Sequence, residues 1–301
     1  MLTGEECIPE ENSRITSSTI EMLDMEQHYD IAVIDEAQMI ADRDRGHSWT
    51  RAILGVKADE IHICMSPAAE EVVTHLIALC EDTFEVRHYE RKTALVCEQE
   101  AFVFPDDVTE GDALITFTKR AVLDIAGRLE REGIRASVIY GSLPPEIRRR
   151  QIRLFLCHET KVVVSTDAIG MGLNLPVRRI VFIQTEKYDG ISTRPLNIPE
   201  IRQIAGRAGR FGMYDTGYVN AMGEDARNYI AKRFDQPEPV IKKVSLGFPH
   251  ILLDMDEPLN AILKIWKSVE PSAPFEKISI DEILFLYDKA VSYTHLRAHE
   301  T

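Results

Sequence analysis

Six short apolar runs, separated by stretches of helical spacing, set the strongest limit on how this chain folds. They are Ile31–Ile34, Ile61–Met65, Ala113–Thr118, Ser137–Tyr140, Lys161–Ser165 and Arg179–Ile183. Between two of them, Val122, Ile125, Ala126 and Leu129 recur at helical spacing, and Gly133 follows as a stop signal. Strand–helix alternation predicts an α/β chain of parallel sheets with helices on both faces, because parallel neighbours need a crossover and the crossover covers the sheet. Glu85–Val96 reads as the connection between two such units. After about Gly223 the alternation gives way to longer mixed segments, and a mostly helical appendage is expected there.

A length of 301 residues suits about two domains. No apolar run approaches the ~18 residues of a membrane span, so no membrane role is expected. The start lacks a basic-then-apolar signal pattern. Five scattered cysteines without Cys-x-x-Cys spacing point to a reducing compartment and away from zinc. A net charge of −14 argues against a generic nucleic-acid coat protein. It leaves room for a chain that grips a few phosphates with amides and hydroxyls.

Four segments carry chemistry. In "IAVIDEAQ" four apolar residues, Ile31 to Ile34, read as a buried parallel strand running into Asp35 and Glu36. Ligands sit at the carboxyl ends of such strands. An aspartate there can hold the magnesium of a nucleoside triphosphate, and an adjacent glutamate can deprotonate the attacking water. A polar end to an edge strand is the plain alternative, which Gln38 weakens. In "VVVSTDAIGMGLNLP" the strand ends in Ser165, Thr166 and Asp167, followed by Gly170 and Gly172, a set of hydroxyls and open amides suited to phosphate. In "VIYGSLPPEIRRRQI" Gly141 and Ser142 follow a strand, and Pro144 and Pro145 fit the opening of a helix. The arginines Arg148, Arg149, Arg150 and Arg153 read as a solvated face.

The fourth segment is "QIAGRAGR", Gln203 to Arg210. Upstream, Asn197 and Glu200 have capping-box spacing with Pro199 in the first turn. A helix continuing from there buries Ile201, Ile204, Ala205 and Ala208, and presents Gln203, Arg207 and Arg210 together on the opposite face. The two glycines flanking that polar row let another surface approach.

Seven segments in order, "TGEE", "AVIDEAQMI", "RGHSWTRAILG", "SPAA", "VIYGSLPP", "STDAIGMGLNLPVRRI" and "QIAGRAGRFG", give the chain its resemblance. It resembles superfamily-two helicases, most closely the mitochondrial-degradosome (Suv-type) ATP-dependent RNA helicases and their bacterial relatives. The resemblance implies tandem RecA-like lobes: a partial first lobe over 1–88, a second over 89–222, and a helical domain begun over 223–290. It implies ATP and Mg2+ as cofactors, with Asp35 and Glu36 as the metal-binding and water-activating acids. Gln38, Asp167, Gly170, Gln203, Arg207 and Arg210 fall at nucleotide positions, the two arginines serving as fingers. Thr3, Gly4, Thr19, Thr118, Tyr140, Gly141, Ser142, Thr166 and Asn174 fall in segments that hold RNA. The implied activity is ATP-driven RNA unwinding in RNA turnover, in a bacterial cytoplasm or the mitochondrial matrix. An exoribonuclease or RNA-degradation complex is the candidate partner. A DNA translocase of the same superfamily and a non-catalytic RNA-binding piece are the rival readings.

One departure stands out. Gly-x-x-x-x-Gly-Lys-Ser/Thr occurs nowhere, and the chain has no Gly-Lys pair. Set against the family pattern, this marks a fragment that lacks the phosphate-binding half of the first lobe. The last eleven residues, "VSYTHLRAHET", resemble a translated adapter and are set aside as a non-native tail. His295 and His299 within them lack the other ligands of a metal site.

Overall fold

In the computed structural model, which describes residues 13–170, 175–287 and 289, the chain divides into two compact units. One comprises Met1–Val86 with Pro239–Thr301, the other Arg87–Glu238.

The first unit contains β1 (His28–Ile34), α1 (Gly46–Gly55), β2 (Lys57–Ile63) and α2 (Glu70–Leu79). β1 and β2 pair in parallel, with Ile34 opposite Ile63. Ile34, Trp49, Ala52, Ile53, Val72, Val73 and Leu76 form its core. The expectation that Ile31–Ile34 is buried throughout does not hold. Ile34 is buried, but Ile31 and Val33 are 58% and 66% exposed. The described sheet here has two strands, and its core draws on alternate residues: Ala32 and Ile34 turn towards the helices while Ile31 and Val33 point away.

The second unit contains β3 (Ala94–Cys97), β4 (Asp112–Ile115), α3 (Lys119–Arg131), β5 (Ala136–Ile139), α4 (Pro145–Leu156), β6 (Val162–Ser165), β7 (Arg179–Phe182), β8 (Glu186–Tyr188), β9 (Thr193–Pro195), α5 (Ile198–Ala205), β10 (Thr216–Ala221) and α6 (Glu224–Phe234). Six strands form one parallel sheet in the order β3-β10-β7-β4-β6-β5, and β8 and β9 make a separate antiparallel hairpin. Both faces of this sheet are covered. Val163, Ile180, Phe182, Ile201, Ala205 and Val219 pack on one face. Leu114, Val122, Ile125, Leu129, Val162, Val164 and Val181 pack on the other. Every residue of β4 and β6 is buried, which is why Ala113–Ile115 and Val162–Val164 read as unbroken apolar sequence. At the amino end of β4, the buried Asp112 carboxylate accepts Arg179 Nε at 2.9 Å and Nη2 at 2.7 Å. That pair ties β7 to β4.

Two boundaries differ from the sequence expectation. Glu85–Val96 is not only a connection, since it runs into the edge strand β3. The segment after Gly223 is not one helical appendage either. α6 belongs to the second unit, because Ile230 completes that unit's core. From Pro239 the chain rejoins the first unit through β11 (Val244–Leu246), α7 (Leu259–Ser268) and β12 (Phe275–Lys277), with β11 and β12 paired in parallel. Thr50 Oγ1 donates to Ser245 O at 2.6 Å, and Ser245 Oγ to Asp42 O at 2.9 Å, fastening β11 beside α1. Among the described residues no helix is long and apolar enough to cross a membrane.

Candidate functional site

The acidic pair stands at the carboxyl end of β1, and the neighbouring strand builds its platform. Cys64 N donates to Ile34 O (2.8 Å) and Ala37 N to Cys64 O (2.9 Å), while Trp49 Nε1 donates to Asp35 O (2.9 Å). Asp35 is exposed, and its Oδ1 accepts Glu36 N at 2.8 Å. Glu36 has φ +54, a left-handed conformation uncommon outside glycine. Such strain gathers where a side chain must be aimed. Gln38 then connects two motifs: Nε2 donates to Glu36 Oε2, and Oε1 accepts Ser66 N at 3.1 Å. Ser66 Oγ is buried with no hydrogen-bond partner among the described residues. The pair is thus tied to the Ser66-Pro67-Ala68-Ala69 segment through one glutamine. Two adjacent carboxylates are hard oxygen ligands of the kind that suit a magnesium-bound phosphate.

The second unit brings its polar residues to one edge. Parallel pairing puts the carboxyl ends of β4, β5 and β6 side by side, so Thr118, Tyr140, Gly141, Ser142, Thr166 and Asp167 share the same rim. Thr118 also caps α3, its Oγ1 accepting Ala121 N at 3.1 Å. Gly141 and Ser142 are exposed ahead of α4, which opens at Pro145. Arg148 is not part of a solvated face: it donates Nη2 to Gly141 O and Leu143 O, at 3.0 and 3.3 Å, and so braces that loop. Arg149, Arg150 and Arg153 are exposed as expected. Thr166 is buried and its Oγ1 accepts Ala168 N at 3.3 Å.

The arginine segment departs from the helix expected of it. The capping box forms: Asn197 Oδ1 accepts Glu200 N and Glu200 Oε2 accepts Asn197 N, both at 2.9 Å. But α5 stops at Ala205, and Arg207 and Arg210 lie beyond it in a turn. Ala208 bridges Val177, and Gly209 has φ +71. A Cβ on Gly209 would lie 2.5 Å from Gly217 N, so only glycine allows this approach to β10. Gln203, Arg207 and Gly170 still meet. Arg207 donates Nε to Gly170 O at 3.0 Å and Nη2 to the same oxygen, and Gln203 packs beside Gly170. Gln203 Nε2 is buried with no hydrogen-bond partner among the described residues. Arg210 is half-buried.

Lys187 on β8, which the sequence reading missed, binds the two motifs together. Its Nζ lies 3.2 Å from Asp167 Oδ2 and 2.8 Å from Glu200 Oε1. Burial works against the Glu200 charge, but hydrogen bonds from Arg194, Lys187 and Asn197 N outweigh it and hold the carboxyl at about 2. No pattern in the sequence marks a lysine on a three-residue strand.

Thr19 is half-buried at the start of a short 3₁₀ turn, Ile20–Met22, in the first unit. Thr3, Gly4 and Asn174 lie outside the described residues, as do Gly172, His295 and His299. Among the described residues no three His, Cys, Asp or Glu side chains gather as a metal cluster, and the four described cysteines are unbridged.

Comparison with known proteins follows the same division. Residues 1–89 match the DEXQ-box helicase domain of Suv3, and residues 93–212 match the helicase conserved C-terminal domain. The chain is 40% identical over 253 residues to the mitochondrial ATP-dependent RNA helicase SUV3 of Oryza sativa subsp. japonica, covering 83% of this chain and 44% of that protein. It is 42% identical over 233 residues to the mitochondrial SUV3 homologue of Caenorhabditis elegans, covering 75% and 31%. With the mitochondrial SUV3 of Saccharomyces cerevisiae it shares 35% over 257 residues, covering 80% and 35%. The chain spans less than half the length of these relatives. Among solved structures, Saccharomyces cerevisiae Dbp5 L327V bound to RNA and ADP BeF3 superimposes with a TM-score of 0.53 at 19% identity, covering 79% of this chain and 68% of that one. That likeness is one of fold: parallel-sheet lobes of RecA type.

Proposed function

We propose, for a chain that belongs to the Suv3-type DEXQ-box helicase family, that its two units work as the ATP-hydrolysing and RNA-gripping parts of an RNA helicase engaged in RNA turnover. One observation carries this reading. A single chain holds a strained acidic pair at the end of one parallel strand and an arginine turn at the rim of a second parallel sheet.

Asp35 would hold magnesium, which when bound with ATP would supply positive charge to the phosphate oxygens. Glu36 takes a proton from the attacking water, with Gln38 fixing the direction of its carboxylate. Gln203, Arg207 and Arg210 offer donors to the terminal phosphates, and Asp167 and Gly170 shape the ground beside them. Thr118, Tyr140, Gly141, Ser142 and Thr166 hold the RNA backbone through hydroxyls, amides and one aromatic face, with Thr3, Gly4, Thr19 and Asn174 as further contacts. Contacts of that kind fix a strand without a large basic field, which reconciles RNA binding with a net charge of −14. The relatives are named mitochondrial, which favours the matrix as compartment. An exoribonuclease or RNA-degradation complex is the partner we propose there.

A second reading has its own support. The sequence contains no Gly-x-x-x-x-Gly-Lys-Ser/Thr, so this chain by itself binds RNA without turning ATP over. Both readings meet in one experiment. ATP hydrolysis is measured with and without RNA for the chain alone and for the chain joined to an upstream phosphate-loop segment. We expect turnover, stimulated by RNA more than by DNA, only in the joined protein. Turnover by the chain alone would overturn the second reading, and its absence from both proteins would overturn the first. In the joined protein Arg210→Lys keeps charge but loses the planar fork. Turnover should fall strongly while RNA binding without nucleotide barely changes.

A further inference from the structure

The geometry points to Arg91 as a positioning residue that holds the arginine turn in its working shape, an inference resting on the helicase reading above. α5 ends at Ala205, and the turn beyond it carries both Arg207 and Arg210. A helix end leaves carbonyls without intrahelical donors, and a cation placed there satisfies them. Arg91 lies more than a hundred residues upstream yet supplies that cation. Its Nη1 donates to Gly206 O at 2.9 Å, and its Nη2 to Ala208 O and, at 3.4 Å, to Gly209 O. Its Nε donates to Thr93 O at 2.9 Å, which fixes the guanidinium to its own segment. One planar fork thus gathers three carbonyls of a four-residue turn, a task that lysine's single ammonium does not share.

The neighbours of Arg91 grip the same turn. Lys92 Nζ stands 4.9 Å from the centre of the Phe211 ring. Thr93 is buried, and its methyl would lie 2.8 Å from a Cβ on Gly209, so it fills the space beside that glycine. Directly afterwards Ala94 pairs with Thr216 as β3 joins β10. Three consecutive residues therefore clamp Gly206–Phe211 from one side, while Arg207 anchors to Gly170 from the other. Arg91, Lys92, Arg207 and Arg210 line a shared cleft of about 270 Å³. Arg91 spends its donors on backbone carbonyls. Its role is to present Arg207 and Arg210, and we assign it no contact with phosphate.

The test uses Arg91→Lys, which keeps charge and fold, with Arg210→Lys as the reference. In the chain itself, amide hydrogen exchange over residues 206–211 should rise about tenfold or more, since the turn loses charge-assisted hydrogen bonds to its carbonyls. Exchange in α3 and α4 should stay unchanged. In the phosphate-loop-joined protein, kcat should fall about tenfold or more, the scale set by small misplacements of catalytic groups. KM for ATP and RNA affinity without nucleotide should stay within about twofold on the same argument. A merely structural role would lower thermal stability and leave kcat per folded molecule intact. Unchanged exchange over 206–211 overturns the clamp. Normal kcat in Arg91→Lys, with Arg210→Lys impaired, overturns its positioning role. Normal kcat in Arg210→Lys overturns the finger reading on which the role rests, and the exchange result then judges the clamp separately.

Discussion

The acidic strand end and the arginine turn are built in opposite ways. Asp35, Glu36 and Gln38 organise one another within four residues, and the partners they recruit come from the segment just after β2 and from α1. Arg207 and Arg210 are held by groups from across their unit: Gly170, Val177, Gly217 and Arg91. A locally built site should lose chemistry when one of its residues changes, yet keep its shape. A remotely built one should lose shape when distant residues change.

The sharpest contrast lies in the acidic pair. In the phosphate-loop-joined protein, Glu36→Gln should reduce ATP hydrolysis by ~10²–10⁴, the usual worth of positioned acid–base catalysis. Binding of ATP, magnesium and RNA should persist, and RNA held with ATP should dissociate more slowly. Asp35→Asn should instead lose magnesium-dependent nucleotide binding. Turnover and RNA dissociation measured on the same three proteins decide this. Normal hydrolysis by Glu36→Gln would reduce the pair to a polar strand end.

The next effect is one of shape. Arg179→Ala strands the buried Asp112 carboxylate and should destabilise the second unit by about 3–5 kcal/mol. The two tryptophans, Trp49 and Trp266, both belong to the first unit, so their fluorescence reports on that unit alone. Loss of far-ultraviolet circular dichroism at lower urea, with the tryptophan transition unmoved, is the expected result. A joint shift of both signals would show that the units unfold as one.

What the sequence disclosed follows the same division. The strands buried on both faces announced themselves as apolar runs, because a polar side chain survives there only with a hydrogen-bond partner, as Asp112 does with Arg179. β1 was found for its apolar run, although half of that run faces outward. β3 was missed because an edge strand alternates exposed and half-buried residues, so Ala94–Cys97 looked like the tail of a linker. The capping box was legible because its two partners lie three residues apart. The end of α5 was not, since it depends on Gly209 meeting Gly217 and on Arg91, contacts that no local spacing encodes. Lys187 escaped for the same reason.

Glu200 offers an intermediate test. Its carboxyl is held at about 2 against an ordinary 4.5, so its contribution is fully present above pH 4.5 and fades as pH falls towards 2. A shift of that size corresponds to about 3 kcal/mol. Glu200→Gln should therefore cost the second unit up to that amount near neutrality. The gap between the two proteins should close between pH 4.5 and 2, as read by urea unfolding followed by circular dichroism. A gap constant with pH would mean that packing, and not the charge shared with Arg194 and Lys187, sets the cost.

The smallest effect separates two uses of one hydroxyl. Thr118 Oγ1 caps α3 by accepting Ala121 N, and the same residue stands on the rim proposed to hold RNA. Removing the cap by Thr118→Ala should cost about 1 kcal/mol. Thr118→Asn restores an acceptor of similar capping strength, so stability should return almost fully. The hydroxyl donor is lost in both variants, whereas Thr118→Ser keeps it. If the hydroxyl also donates to an RNA phosphate, affinity for single-stranded RNA should fall about tenfold in Thr118→Ala and Thr118→Asn alike, the worth of one charge-assisted hydrogen bond. Thr118→Ser should bind as the parent does. RNA affinity that follows stability, recovering in Thr118→Asn, would assign Thr118 to the helix alone and move the RNA contact along the rim towards Tyr140 and Ser142.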